Sequence, residues 1–308
     1  MPNWGEILNE VKQSGHTTDV IRRKYLTKLH RLTKRNVIIY YSGWLHRKSP
    51  GGPAPDFGLN DLDKNGFMSV VHGLDRKLGL DLVLHTPGGD MAATESIIDY
   101  LRQMFGRDIR AIVPQIAMSG GSMIACACKE IIMGLQSNIG PFDPQIGGMP
   151  AQAIKSEFER AAMEIRLDNN KAFVWQPIIQ KYSLGFLTAV DQSIQMADAV
   201  VKQNLIDCMF YGEVNASDIA QIIVDTLGSN AATQTHARHI HKEKAKALGL
   251  KIVDLESDSK LQDAVLSVHH AAMITFEQTP MFKIVENHAG SSYISTQQML
   301  LLGGSGPF

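Results

Sequence analysis

Two stretches decide the fold of this chain: DLVLHTPGGD at residues 81–90 and AIVPQIAMSGGS at residues 111–122. In the first, residues 81–85 are a mainly apolar run stopped by Pro87, Gly88 and Gly89, which reads as a strand ending in a tight turn. Ile97, Leu101, Met104 and Phe105 then recur at helical spacing, so a helix is expected over residues 91–105. Residues 109–114 read as a second strand, followed by the turn MSGGS and a helix of small residues through Cys128. EIIMG at residues 130–134 makes a third strand that ends in the turn SNIGPFDPQ. Strands alternating with helices imply parallel pairing through right-handed crossovers, the pattern of an α/β protein.

Working outward, VIIYYS at residues 37–42 is a strand, and KIVDLE at residues 251–256 a short one. Residues 20–35 read as a basic helix carrying Arg22, Arg23, Lys24, Lys28, Arg31, Lys34 and Arg35, whose charges suit a solvated face, or a phosphate or anionic-membrane contact. Asn3 and Glu6 suit the start of an earlier helix, residues 45–55 an exposed loop. Beyond Pro150 the chain reads as largely helical, with faces at Ile154, Phe158, Ala161 and Ile165, at Leu187, Val190, Ile194, Ala197, Val201 and Leu205, and over residues 261–276. The expected organisation is a helical extension at residues 1–35, one α/β domain at 36–300 and a flexible Gly-rich tail at 301–308.

Of the 308 residues, 44% are apolar and 20% charged, the balance of a globular protein with a large core. A net charge of −1 gives no long-range field to steer the molecule to nucleic acid. No run approaches about eighteen apolar residues, so no integral membrane segment is expected. The polar start, MPNWGEILNEVKQ, lacks the pattern of a secretory signal. The three cysteines, Cys126, Cys128 and Cys208, suit buried thiols in a reducing compartment, and a cytoplasmic location.

Two motifs are decoys. Asp61, Asp63, Asn65 and Gly66 open like a calcium loop, but its twelfth position is His72 rather than an acid, so a polar helix start is expected. His236, His239 and His241 have no favoured zinc spacing, and neither a metal nor another cofactor is expected.

The chemistry sits in the two turns. Ligands of parallel sheets gather at the carboxyl ends of strands, where Gly88 and Gly89 lie. Two strand-ends on, Ser119 opens a helix with its hydroxyl exposed, beside the N–H groups of Gly120 and Gly121, which suit an oxyanion. Ser122 is the rival hydroxyl, one helical turn further in. His85, just before the glycine turn, is a candidate for lining the site.

The segments DLVLHTPGGD, AIVPQIAMSGG, CKEIIMG and SNIGPFDPQIG together resemble the core of the ClpP/crotonase superfamily, most closely its SDH-type (serine dehydrogenase proteinase) and SppA-like peptidases. The likeness covers residues 81–148 and extends weakly to about residue 250 through THARHI and AKALGL. It implies a ClpP/crotonase-like spiral of strand–turn–helix units around a parallel sheet, with an extra N-terminal helix and a helical C-terminal half. It also implies a serine endopeptidase with Ser119 as nucleophile and Gly89 and Gly120, with Gly88 in the same turn, as the oxyanion backbone. Two bases stay open. The SDH-type order of Ser, Asp and His is met by Ser119, Asp143 and His236, although Ala237 and Arg238 follow the histidine where relatives lead one to expect an acid. The SppA-like Ser–Lys dyad would instead use Lys171, which needs burial to lower its pKa. The resemblance further implies a homo-oligomer acting on peptides or unfolded proteins. Acyl-CoA chemistry on the same scaffold and an inactive, protease-like binding module are the alternatives.

Overall fold

The computed structural model describes residues 4–14, 17–46 and 55–297. Its helices are α1 (Trp4–Ser14), α2 (Thr18–Thr33), α3 (Asp61–Val71), α4 (Met91–Phe105), α5 (Gly120–Cys126), α6 (Ala151–Leu167), α7 (Ala172–Ile179), α8 (Phe186–Asn204), α9 (Ala216–Leu227), α10 (Asn230–Thr233), α11 (Lys242–Ala247) and α12 (Ser259–Gln278). Its strands are β1 (Asn36–Ser42), β2 (Leu80–His85), β3 (Ile109–Val113), β4 (Ile116–Ala117), β5 (Glu130–Met133), β6 (Asn138–Ile139), β7 (Gln145–Ile146), β8 (Met149–Pro150), β9 (Ile240–His241), β10 (Ile252–Asp254), β11 (Met281–Asn287) and β12 (Ser292–Thr296). Asn3, most of the expected loop at residues 45–55 and the expected tail at 301–308 lie outside the described residues.

The main sheet has seven strands in the order β10-β5-β3-β2-β1-β11-β12. From β10 to β1 every pair is parallel, as the alternating pattern predicted. Every residue of β1 and β2 is buried, which is why these strands read as mainly apolar runs: a parallel sheet is covered on both faces. One face packs against α3, α4, α5, α8 and α9 through Phe67, Ile97, Ile98, Leu101, Ile124, Val201 and Ile223. The other packs against α1, α2 and α12 through Ile7, Leu26, Leu29, Val265 and Val268. The fold is a mixed α/β architecture around a largely parallel sheet, in keeping with the ClpP-like class.

Two antiparallel strands, β11 and β12, extend this sheet and were not read from the sequence. The reason is charge inside the strand. Lys283 and Glu286 break the apolar pattern of β11, yet both are buried and paired, Lys283 with Asp63 and Glu286 with Arg22 and Arg23. The basic run of α2 is for the most part the solvated face expected of it, with Arg23, Lys24, Lys28, Arg31 and Lys34 exposed, but some of its charges are paired. Arg22 is buried against Glu286 and Thr275, Lys24 meets Glu10, and Arg35, beyond the helix, reaches Asp81 and Asp108. The calcium-like motif is a helix start: Asn60 caps α3 in a capping box with Asp63, and Asn65 and Gly66 are inside the helix. Among the described residues no helix is long and apolar enough to cross a membrane.

A small second sheet, ordered β4-β6-β9, joins the end of β2 through a bridge between Thr86 and Ala117. Ile139 of β6 faces Ala117 in parallel and Ile240 of β9 antiparallel.

His85 does not line the site. It shares the sheet face of Val83, is fully buried, and packs on Trp44, Tyr41 and His269 of α12. Neither of its ring nitrogens has a partner among the described residues. Burial, with His269 and His46 nearby, holds His85 well below the ordinary histidine range. Burial, with His270 and His46, holds His269 at about 3. The unfolded chain takes up these protons near pH 6.5 and the folded chain does not, so stability falls as pH drops below about 6.5. His85→Leu removes one such group without breaking a hydrogen bond. Its melting temperature should match or exceed wild type at pH 7 and fall less steeply down to pH 4.5; equal slopes would contradict this account.

Candidate active site

Four chain segments leave the main and small sheets at one end. Gly88 and Gly89 follow Thr86, and Ser119 follows β4. Asp143 follows β6, and His236 precedes β9, whose reversed direction brings it to the same end. Adjacent strands lie roughly 4.8 Å apart, so the β4 and β9 chains are separated by roughly 10 Å there. The small sheet is therefore what gathers residues 88–89, 119, 143 and 236.

Ser119 occupies a sharp turn between β4 and α5 with φ 49° and ψ −117°. Positive φ on a non-glycine residue is a strained conformation that costs on the order of 1–3 kcal/mol. The strain turns the serine out of the helix. It does not cap the first turn of α5, and among the described residues its hydroxyl makes no hydrogen bond. A contact between a serine and its base commonly tightens only when substrate binds. Ser122, the rival, is fully buried: its hydroxyl donates to Ala117 O at 2.8 Å and accepts from Gly140 N at 2.8 Å. It ties β4 to the end of β6, and both of these bonds engage its hydroxyl.

The glycine turn is pressed against the serine. Gly88 has φ 96°, and a Cβ there would lie 2.4 Å from Ser119 Cβ. Its N–H donates to Thr86 Oγ1 at 3.1 Å. Gly89 runs parallel to Leu59, whose N donates to Gly88 O at 2.7 Å and whose O accepts from Asp90 N at 2.8 Å. This ladder leaves Gly89's own N–H and C=O pointing away from Leu59. A Cβ on Gly120 would stand 3.5 Å from Gly89 N, so the two turns touch. Gly120 is the first residue of α5, where an N–H has no intrahelical acceptor. Among the described residues neither Gly89 nor Gly120 donates its N–H to a backbone carbonyl.

Asp143, only 1% exposed, accepts from His236 Nδ1 at 2.7 Å through Oδ1 and from Gln145 Nε2 at 3.0 Å through Oδ2. A carboxylate only accepts, so the imidazole proton sits on Nδ1 and the Nε2 lone pair is free. The His236 side chain is partly exposed. Gln145 was not read from the sequence; its proximity two residues after Asp143 is the only local signal.

Lys171 is elsewhere. It lies in the 3-10 turn Asn169–Lys171 between α6 and α7, solvent-exposed, and makes no hydrogen bond to Ser119, Asp143 or His236 among the described residues. It lacks the burial a neutral lysine base needs. His239 and His241 are exposed, and no cluster among the described residues suits a metal ion. The cysteines are buried and free, and burial pushes the Cys126 thiol up to about 12, so it stays protonated.

Sheet, glycine turn and strained serine together define a ClpP-like protein. The model of the family described as ClpP-like SDH-type serine proteinase matches residues 63–263, and the chain belongs to that family. Two uncharacterized proteins of Methanocaldococcus jannaschii are each 29% identical to it, over 198 and 190 residues. The matches cover 62% of this chain in both cases and 59% and 57% of the relatives, so the chain spans under three fifths of their length.

The strain at residue 119 gives a test independent of activity. Ser119→Gly relieves the positive φ and Ser119→Ala keeps it. The glycine variant should therefore be more stable than the alanine variant by about 1 kcal/mol, the left-handed penalty less glycine's extra chain entropy. Equal denaturation midpoints would show that the turn is unstrained.

Proposed function

We propose that this protein is a serine endopeptidase. Ser119 attacks the carbonyl of a peptide bond. His236 Nε2 takes the hydroxyl proton, Asp143 holds the Nδ1–H tautomer, and the N–H groups of Gly89 and Gly120 stabilise the oxyanion. The same proton then passes to the leaving amine, and water, activated by His236, releases the acyl group. One base of this kind contributes roughly 10²–10⁴-fold and one oxyanion donor roughly 10²–10³-fold.

The observation that carries this reading is the 2.7 Å pairing of His236 with buried Asp143 at the sheet end where Ser119 emerges. A histidine needs no pKa tuning to act as a base near neutral pH. Acyl-CoA chemistry would use the two N–H donors but has no need of that pair. Exposed Met163, Leu167, Phe173 and Leu184 around α6–α8 support assembly of several copies. The buried free thiols support a reducing, cytoplasmic setting.

A fluorophosphonate probe with casein cleavage as the second readout tests the assignment. Ser119→Ala should abolish labelling and cleavage, and His236→Ala should slow both by at least about 10²-fold, while Lys171→Ala stays near wild type. Equal labelling of Ser119→Ala, or a Lys171→Ala loss matching that of His236→Ala, would overturn it.

A further inference from the structure

The calcium-like motif contributes one residue that the fold uses in an unexpected way. Asp63 is 2% exposed and pairs with Lys283, 3% exposed, at 3.0 Å. Tyr40, fully buried, donates to the same carboxylate oxygen at 2.9 Å, and Asn60 N donates to it at 3.0 Å. Burial first, then Asp63, raises the Tyr40 hydroxyl far above its ordinary range, so it remains a donor. The Lys283 ammonium also donates to Gly58 O, and the Ser42 hydroxyl to Phe57 O at 2.8 Å. Residues 57–60 are thus fastened to β1, α3 and β11 through Phe57, Gly58 and Asn60.

The free side of this segment is the one that meets the glycine turn. Leu59 bonds Gly88 O and Asp90 N, and a Cβ on Gly89 would lie 2.0 Å from Leu59 N. On the sheet side of the same turn, the Thr86 hydroxyl accepts from Gly88 N at 3.1 Å. The route from the buried pair through residues 57–60 ends on Gly88 and Asp90, the residues flanking Gly89.

We infer that residues 57–60 are a positioning strap for the oxyanion donor, and that the Lys283–Asp63 pair fixes the strap. The inference rests on the peptidase reading above. Lys283, Asp63, Tyr40 and Ser42 act as positioning residues, through Leu59, on the direction of the Gly89 N–H. A donor displaced by about 1 Å costs up to roughly 10²-fold in rate. The strap therefore governs the chemical step and not the affinity for substrate.

The test is the phosphonylation of Ser119, resolved into its maximal rate and its half-saturating probe concentration. Replacing one partner of a buried pair strands the other charge, so the informative variant is the double replacement Asp63→Asn with Lys283→Met, which leaves none. It should melt near wild type, keep the half-saturating concentration, and lose roughly ten- to a hundred-fold in maximal rate. Ser42→Ala, a smaller lesion expected to fold in any case, should lose several-fold in maximal rate alone. Wild-type maximal rates in the folded double variant, or in Ser42→Ala if the double variant does not fold, would overturn the strap. So would a loss confined to the half-saturating concentration. An unlabelled wild type would instead overturn the peptidase reading, and the strap with it.

Discussion

The site depends on a contact that only glycine permits. Gly88 stands where a Cβ would lie 2.4 Å from Ser119 Cβ and 2.9 Å from Gly120 N, so the two turns touch backbone to backbone. A side chain at residue 88 would push them apart, and its φ of 96° would be strained for it as well. The rest of the fold can be read as support for this approach. The Thr86–Ala117 bridge sets the level at which the turns meet, Ser122 holds the small sheet together, and Leu59 closes the other side. Stability is given up at Ser119, whose backbone is strained, and recovered in a sheet buried on both faces.

Much of this was legible in the sequence, for a physical reason. Parallel core strands are apolar over most of their length, so β1, β2, β3 and β5 announce themselves as near-continuous runs, and the glycines after β2 and beside Ser119 have no local reason to be there except a turn. The pairing of Asp143 with His236 was legible only through the resemblance to SDH-type peptidases, because 93 residues separate the partners. The strand order fixes their meeting: β9 runs antiparallel to β6, and that reversal cannot be seen in either segment alone.

What stayed hidden was buried charge. Lys283 and Glu286 made β11 look like surface, and Arg22 sat hidden in the basic run of α2, whose other charges Arg23, Lys24, Lys28, Arg31 and Lys34 do form an exposed face. The buried charges find their partners at distances no window can span: 220 residues for Lys283 with Asp63, 264 for Arg22 with Glu286. An unpaired charge at such a place is excluded by its desolvation cost, but the pairing that removes that cost is tertiary. Asp63 is the sharpest case. Its motif resembles a metal loop, its local role is a helix cap, and its tertiary role is to hold the strap beside the glycine turn.

The proposed chemistry has Ser119 react with its developing negative charge held between two backbone N–H groups. A crystal structure of the phosphonylated protein puts this to the test. Phosphorus should be bonded to Ser119 Oγ, with a phosphonyl oxygen within hydrogen-bonding distance, about 2.7–3.1 Å, of both Gly89 N and Gly120 N. An adduct on another side chain, or on Ser119 with that oxygen turned away from both glycines, would contradict it.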